Sequence, residues 1–183
     1  YMLDKAISLI TEDIISDTLS EFVRIPSRNP PGEEKKAAEY VIHKMRGWGL
    51  DAELVPKPDP SRPQAVASLK GSKGKSLVLN GHLDVVPEGD RSNWRMDPFG
   101  GLVKDGRVYG RGSCDMKGGL VAAMVAMKAV YESGMNLNGE IILHFAYGEE
   151  SSEPGTKTLL TEQRFGGDWG IVLEPTNLKV AIA

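Results

Sequence analysis

The 183-residue chain has a single cysteine, Cys114, so it can form no disulfide within itself, and a cytoplasmic setting is expected. It has no excess of basic charge: 22 Lys and Arg against 25 Asp and Glu give a net charge of −3, with a sequence pI near 5.7. That balance leaves no electrostatic footprint for nucleic acid, and no such partner is expected. No apolar run approaches the roughly 20 residues that a bilayer-spanning helix needs, so no membrane partner is expected either. Nothing near the start reads as a signal peptide, and no repeat or low-complexity segment stands out. Histidine is scarce, with three in the chain: His43, His82 and His144. What is present, 40% hydrophobic residues over this length, suffices for one sizeable core.

The stretch Asn80-Gly81-His82-Leu83-Asp84-Val85-Val86-Pro87 is the most informative. Side chains two apart on a strand share a face, so His82 and Asp84 point the same way. A histidine that ligates a metal through one nitrogen usually donates its other N–H to a carboxylate, which fixes the tautomer. Taken alone, the pair is more often an ordinary polar strand end. Further acids shift that balance. Asp115, in Gly110-Arg111-Gly112-Ser113-Cys114-Asp115-Met116-Lys117-Gly118-Gly119, the pair Glu149-Glu150, and Glu174 all stand next to the ends of apolar runs, where sites are built. Singly, Asp115 reads equally as a helix N-cap and Glu149-Glu150 as a solvated loop start. Neighbours on extended backbone face opposite sides, so the two glutamates are expected to do different jobs, one at a metal and one with protons.

In their order, Ile25-Pro26-Ser27-Arg28-Asn29-Pro30-Pro31-Gly32, the His82 motif, Asp97-Pro98-Phe99, the Asp115 motif, Glu149-Glu150 and Leu173-Glu174-Pro175-Thr176 resemble the N-terminal part of the co-catalytic zinc aminoacylase and carboxypeptidase family. Acetylornithine deacetylase, succinyl-diaminopimelate desuccinylase, aminoacylase and glutamate carboxypeptidase are among its members. The resemblance implies two divalent metal ions, zinc before cobalt or manganese. His82, Asp115 and Glu174 would hold the first, Asp115 would bridge to the second, and Glu150 would bind the second as well. Glu149 would be the general base and Asp84 the partner behind His82. The resemblance further implies a cis peptide bond between Asp115 and Met116. Two divalent ions about 3.5–4 Å apart activate a water and stabilise the oxyanion it forms on a carbonyl, so the implied set suits amide hydrolysis.

The family's second metal also takes a histidine from later in the chain, and neither remaining histidine fits. His43 falls opposite the helical stripe Ala37, Val41, Met45 and Trp48, and His144 lies inside a strand, where a structural role is expected. With that ligand missing, residues 1–183 are expected to bind at most one metal tightly and to hydrolyse no amide at a useful rate. Tyr1 precedes Met2, and Leu178-Lys179-Val180-Ala181-Ile182-Ala183 reads as a strand with nothing after it, its apolar edge open to self-association. The chain therefore reads as a truncated piece: the N-terminal part of a catalytic domain, without the lid and dimerisation domain or the C-terminal catalytic segment. The expected substrate is an N-acyl amino acid or a short peptide, hydrolysed by a full-length homodimer. A di- or carboxypeptidase, or a non-catalytic metal-binding interaction module, are the alternatives, and the intact Glu149 argues against the second.

Periodicity places a first helix with Ile7, Ile10, Ile14, Leu19 and Phe22 on its buried face, and a second from about Glu33 to Trp48. Strands are expected near Asp51–Val55, Ala65–Leu69 and Ser76–Asn80, the last two joined by a Gly71-Ser72-Lys73-Gly74 turn. A helix follows Asp115, burying Leu120, Ala123, Met124, Met127 and Tyr131. Strands at Glu140–Tyr147 and Trp169–Leu173 flank another helix near Thr156–Thr161. Strands alternating with helices indicate an α/β sandwich. With the resemblance, the expected fold is a three-layer sandwich around a mixed central sheet, of the zinc-peptidase type. Pro87–Asp105 is long for a structureless connection and reads either as a wall of the site or as a surface loop, with Trp94 and Phe99 favouring some packing. Gly74-Lys75-Ser76 lacks the earlier glycine of a phosphate loop, the Gly110/Gly112 pair lacks the last glycine of a dinucleotide fingerprint, and Cys114 has no histidine nearby in sequence to activate it.

Overall fold

The structure, a computed structural model, describes residues 1–162 and 165–177. The elements run α1 (Met2–Ser8), α2 (Glu12–Val23), α3 (Lys35–Gly47), β1 (Asp51–Val55), β2 (Gln64–Lys70), β3 (Ser72–His82), β4 (Leu102–Lys104), β5 (Arg107–Tyr109), α4 (Lys117–Ser133), β6 (Asn138–Ala146), α5 (Pro154–Thr161) and β7 (Trp169–Val172). The strand expected over Leu178–Ala183 lies outside the described residues.

The first expected helix is in fact two. Thr11 has extended backbone and its side chain accepts from the Ile14 N–H at 3.3 Å, so α2 starts there, with Glu12 and Asp13 in its first turn. An N-cap followed by acids favours a new start over continuation of the apolar period. Ile7 and Ile10 are consequently 58% and 41% exposed, outside the buried face on which they were expected. The second helix, α3, buries Ala37, Ala38, Val41, Ile42 and Met45 and leaves His43 exposed. In α4, Leu120, Ala123, Met124 and Met127 are buried as expected, whereas Tyr131 is 46% exposed, its ring lying close to Gly49.

Five strands form one mixed sheet in the order β1-β2-β6-β3-β7. β1 and β6 flank β2 antiparallel, and β6 and β7 flank β3 parallel. The expected turn between β2 and β3 is not a hairpin, because β6 lies between them. The N–H groups of Gly71 and Ser72 donate across to Gly139 and Leu137, both at 2.8 Å, and Gly74 falls within β3 beside an irregularity in the pairing with β6. Alternation sorts the side chains of the sheet. Ala65, Ala67, Leu143 and Phe145 pack with α2, α3 and α4, while Val66, Val78, Ile142 and Ala146 pack with Leu159 of α5 and with Phe165. Helices on both faces make this the expected three-layer sandwich. His144 is structural, as expected: its Nε2 donates to the Phe165 carbonyl at 2.9 Å, which leaves Nδ1 to accept from Asn80 Nδ2 at 3.3 Å.

Pro87–Asp105 is built rather than structureless. Asp90 caps a short 3₁₀ turn at Arg91–Asn93, Trp94 donates to the Glu88 carbonyl at 2.8 Å, and Phe99 is buried. β4 and β5 then close a hairpin across Asp105 and Gly106, both with positive φ as a tight turn of this kind requires. Arg28 anchors the stretch from behind. It grips Glu88 with two parallel bonds of 2.7 and 2.8 Å and lies 4.5 Å over the Phe99 ring. Arg28 holds the Glu88 carboxyl down at about 2. A folded-state value below the unfolded one means that the contribution is present above pH about 4.5 and is lost as pH falls toward 2. The melting temperature is therefore expected to drop more steeply between pH 5 and 2 for the wild type than for Glu88→Gln; parallel slopes would show that the pair adds nothing.

Candidate metal centre

The parallel strands β3, β6 and β7 end at one edge of the sheet, and the predicted site residues follow those ends. His82 closes β3, Glu149 and Glu150 come just after β6, and Glu174 comes just after β7. Residues beyond the carboxyl ends of parallel strands line the crevice where open α/β sheets place their sites. Two bonds prolong the ladder beyond the strands and hold these ends together: Leu83 N–H to Ala146 O at 2.7 Å and Leu173 N–H to Asn80 O at 2.9 Å. Asp115 reaches the same point from the turn before α4, and the Asp115–Met116 peptide bond is cis, as the resemblance implies.

His82 is the centre of the group. Its Nε2 lies 3.3 Å from Asp115 Oδ1, 3.5 Å from Glu174 Oε1 and 3.7 Å from Glu149 Oε2. Two sets each bring one ligand atom per residue within 4.8 Å of one another: His82, Asp115 and Glu174, and His82, Glu149 and Glu150. The five residues singled out for metal and proton work thus stand together.

Asp84 lies behind His82, in an arrangement the two-residue spacing did not disclose. The His82 Nδ1–H donates to the Asp84 main-chain carbonyl at 2.8 Å, while the carboxylate Oδ1 is 3.6 Å from the same nitrogen. Because a carbonyl only accepts, Nδ1 carries a proton, and Nε2 is the ring nitrogen turned toward the acids, where a metal would take the place of a second proton. The buried Asp84 carboxylate instead accepts the main-chain N–H groups of Glu149 at 3.2 Å and Glu150 at 3.1 Å, and the Asn29 side-chain amide at 2.8 Å. One carboxylate therefore holds the turn that carries both glutamates.

The donor set fits a divalent cation. His82 Nε2 is buried and has no hydrogen-bond partner among the described residues, though carboxylate oxygens surround it. Burial works against a charge on the ring, but Asp84 and then Glu174 outweigh it and the His82 pKa is raised to about 9. Burial raises Glu149, Glu150 and Glu174 above the usual carboxylate range, and the neighbouring acids, Asp115 among them, add to the effect. An unpaired imidazole nitrogen among mutually repelling carboxylates is what a bound dication would satisfy, and nitrogen with carboxylate oxygen is a zinc-type ligand set. Neither His43, exposed on α3, nor His144, bonded to Phe165 and Asn80, falls within either of these sets.

Two supporting residues had no reading in the sequence. Lys117 is buried, donates to the carbonyls of Ile25 at 2.7 Å and Phe22 at 3.1 Å, and lies 4.8 Å over the Phe22 ring, which ties the start of α4 beside Asp115 to the end of α2. Its only sequence signal was its place in the Asp115 motif. Asn29 is the other, and its signal was likewise only its place in the Ile25–Gly32 motif. Cys114 is exposed and forms no part of the group.

The comparisons with known proteins agree with this geometry. The chain is 35% identical over 160 residues to a probable succinyl-diaminopimelate desuccinylase of Staphylococcus epidermidis, covering 87% of this chain and 38% of that protein. It is 32% identical over 187 residues to the N-formyl-4-amino-5-aminomethyl-2-methylpyrimidine deformylase of Bacillus subtilis, covering 98% and 42%. Among solved structures, the M20 family metallo-carboxypeptidase Sso-CP2 of Sulfolobus solfataricus superposes with a TM-score of 0.76 at 26% identity, over 85% of this chain and 36% of that one. Human carnosine dipeptidase 1 gives 0.78 at 25% identity, over 94% and 41%. The chain spans about two fifths of the length of the curated relatives it matches. Residues 78–183, more than half of the chain and the part that carries His82, Asp115, Glu149, Glu150 and Glu174, match the family model, and the chain belongs to peptidase family M20/M25/M40.

Proposed function

We propose that residues 1–183 are the N-terminal part of the catalytic domain of a zinc-dependent amidohydrolase that cleaves the amide of an N-acyl amino acid. The observation that carries this reading is the buried, unpartnered Nε2 of His82 facing carboxylates from three different loops. His82, Asp115 and Glu174 would hold one ion; Asp115 and Glu150 would contribute to a second, whose histidine would come from elsewhere in the protein. Divalent ions held there lower the pKa of water and withdraw charge from a carbonyl oxygen. Glu149 takes the proton from the attacking water and returns it to the amine nitrogen as the C–N bond breaks, giving a free acid and a free amine. Asp84 keeps Glu149 and Glu150 in place through their main-chain N–H groups, and its own carbonyl, by accepting from Nδ1, leaves Nε2 as the nitrogen that would meet a metal.

The N-acyl reading is supported by relatives named desuccinylase and deformylase, both of which remove an acyl group from nitrogen. A di- or carboxypeptidase is the second reading, favoured by the solved neighbours. The wider reading includes a homodimer in the cytoplasm, supported by the motif resemblance and the single cysteine; no helix among the described residues is long and apolar enough to cross a membrane. The test is the full-length protein offered N-succinyl, N-acetyl and N-formyl amino acids beside dipeptides, before and after chelation. Hydrolysis of an N-acyl substrate that disappears on chelation and returns with zinc is expected. Turnover of dipeptides alone would favour the peptidase, and zinc binding with no turnover of any substrate would favour a non-catalytic module.

A further inference from the structure

Asn29 is almost fully buried, in a segment that runs beside the strand end carrying the site. Asn29 N–H donates to Val85 O and Val85 N–H to Ser27 O, both at 2.9 Å, and the Ser27 hydroxyl donates to Leu83 O at 2.7 Å. These bonds fix the segment in register with Leu83–Val85, so the Asn29 side chain is not free to choose its direction. Its amide nitrogen donates to Asp84 Oδ2 at 2.8 Å and to the Ser151 hydroxyl at 3.1 Å. Asp84 Oδ2 also accepts the Glu150 N–H, and Oδ1 accepts the Glu149 N–H. The amide therefore touches the turn that bears the two glutamates at both ends, through the Asp84 carboxylate and through Ser151.

We propose that Asn29 is a positioning residue for the metal centre: it sets the direction of the Asp84 carboxylate and thereby the placement of Glu149 and Glu150. The inference rests on the metal-centre reading above. It also carries a chemical signature that a space-filling role lacks. Aspartate has nearly the shape of asparagine, yet Asn29→Asp puts a carboxylate oxygen where a donor faced Asp84, and two buried carboxylates at that distance repel. Alanine removes the donor without adding a charge. If Asn29 only fills space, aspartate is the milder change; if it donates to Asp84, aspartate is the harsher one.

Zinc affinity of the full-length protein is to be measured by calorimetry for the wild type, Asn29→Ala and Asn29→Asp, with thermal melts beside it. Asn29→Ala is expected to weaken zinc binding about 10–100-fold, the usual range for losing a group behind a ligand, and Asn29→Asp to weaken it further. If Asn29→Asp does not fold, Asn29→Leu, which fills the space without a donor, is expected to weaken zinc binding at least as much as Asn29→Ala. Aspartate tolerated better than alanine, alanine and aspartate variants both within twofold of the wild type, or an Asn29→Leu protein that binds zinc like the wild type would overturn the inference while leaving the metal reading intact. A wild-type protein that binds no zinc would overturn both.

Discussion

Glu149→Ala in the full-length protein is expected to lower kcat by about 10²–10⁴-fold while zinc content stays near the wild-type value, because the substitution removes a proton acceptor and no required ligand. The structure makes this a sharp test, since Glu149 and Glu150 share one turn, accept the same hold from Asp84 and both stand within metal-binding reach of His82. Distance alone does not separate their roles. Glu150→Ala should separate them, losing zinc together with activity. Metal analysis run beside steady-state kinetics reads both quantities, and zinc lost in proportion to turnover in Glu149→Ala would mean that the two glutamates exchange roles.

Asp115→Asn is expected to have the largest effect on metal binding, and an opposite effect on the apo protein. Asparagine keeps the shape but gives up the charge, and the reading of Asp115 as a shared ligand makes both ions depend on it. Zinc affinity should therefore fall by more than the 10–100-fold typical of a group outside the ligand set. Without metal, Asp115 is one of the acids that push Glu149, Glu150 and Glu174 away from their charged forms. Neutralising it relieves that repulsion. In chelator the variant should melt no lower than the wild type, whereas in excess zinc it should melt below it, since a ligand that binds only the native state stabilises according to its affinity. A variant that melts lower in both conditions would show that Asp115 contributes to the fold rather than to the ions.

What the sequence made legible was local. His82 and the acids of the centre could be singled out because each stands next to the end of an apolar run, and the edge at which the parallel strands end brings His82, Glu149, Glu150 and Glu174 together whatever the details of packing. The α/β sandwich was legible from alternating strands and helices, whereas its three layers and mixed sheet came from the motif resemblance. The break at Thr11 was missed because an N-cap bond outweighed an apolar period that runs through it. The position of β6 between β2 and β3 was missed because Gly71–Gly74 has the composition of a turn, and only pairing with residues far along the chain decides that it is not one. Asn29 and Lys117 were missed on similar grounds: their partners at Asp84 and at Phe22 and Ile25 lie 55, 95 and 92 residues away.

The contact between His82 Nδ1 and the carbonyl of Asp84 also bears on how this centre tolerates mutation. Every amino acid supplies that carbonyl, so the tautomer of the histidine is protected from replacement of the side chain at position 84. What such a replacement removes is the hold on Glu149 and Glu150. Lineages that drift at this position would be expected to keep His82, Asp115 and Glu174 ready for one ion while the turn bearing the two glutamates loosens, so that the second ion and proton transfer are lost before the first ion is.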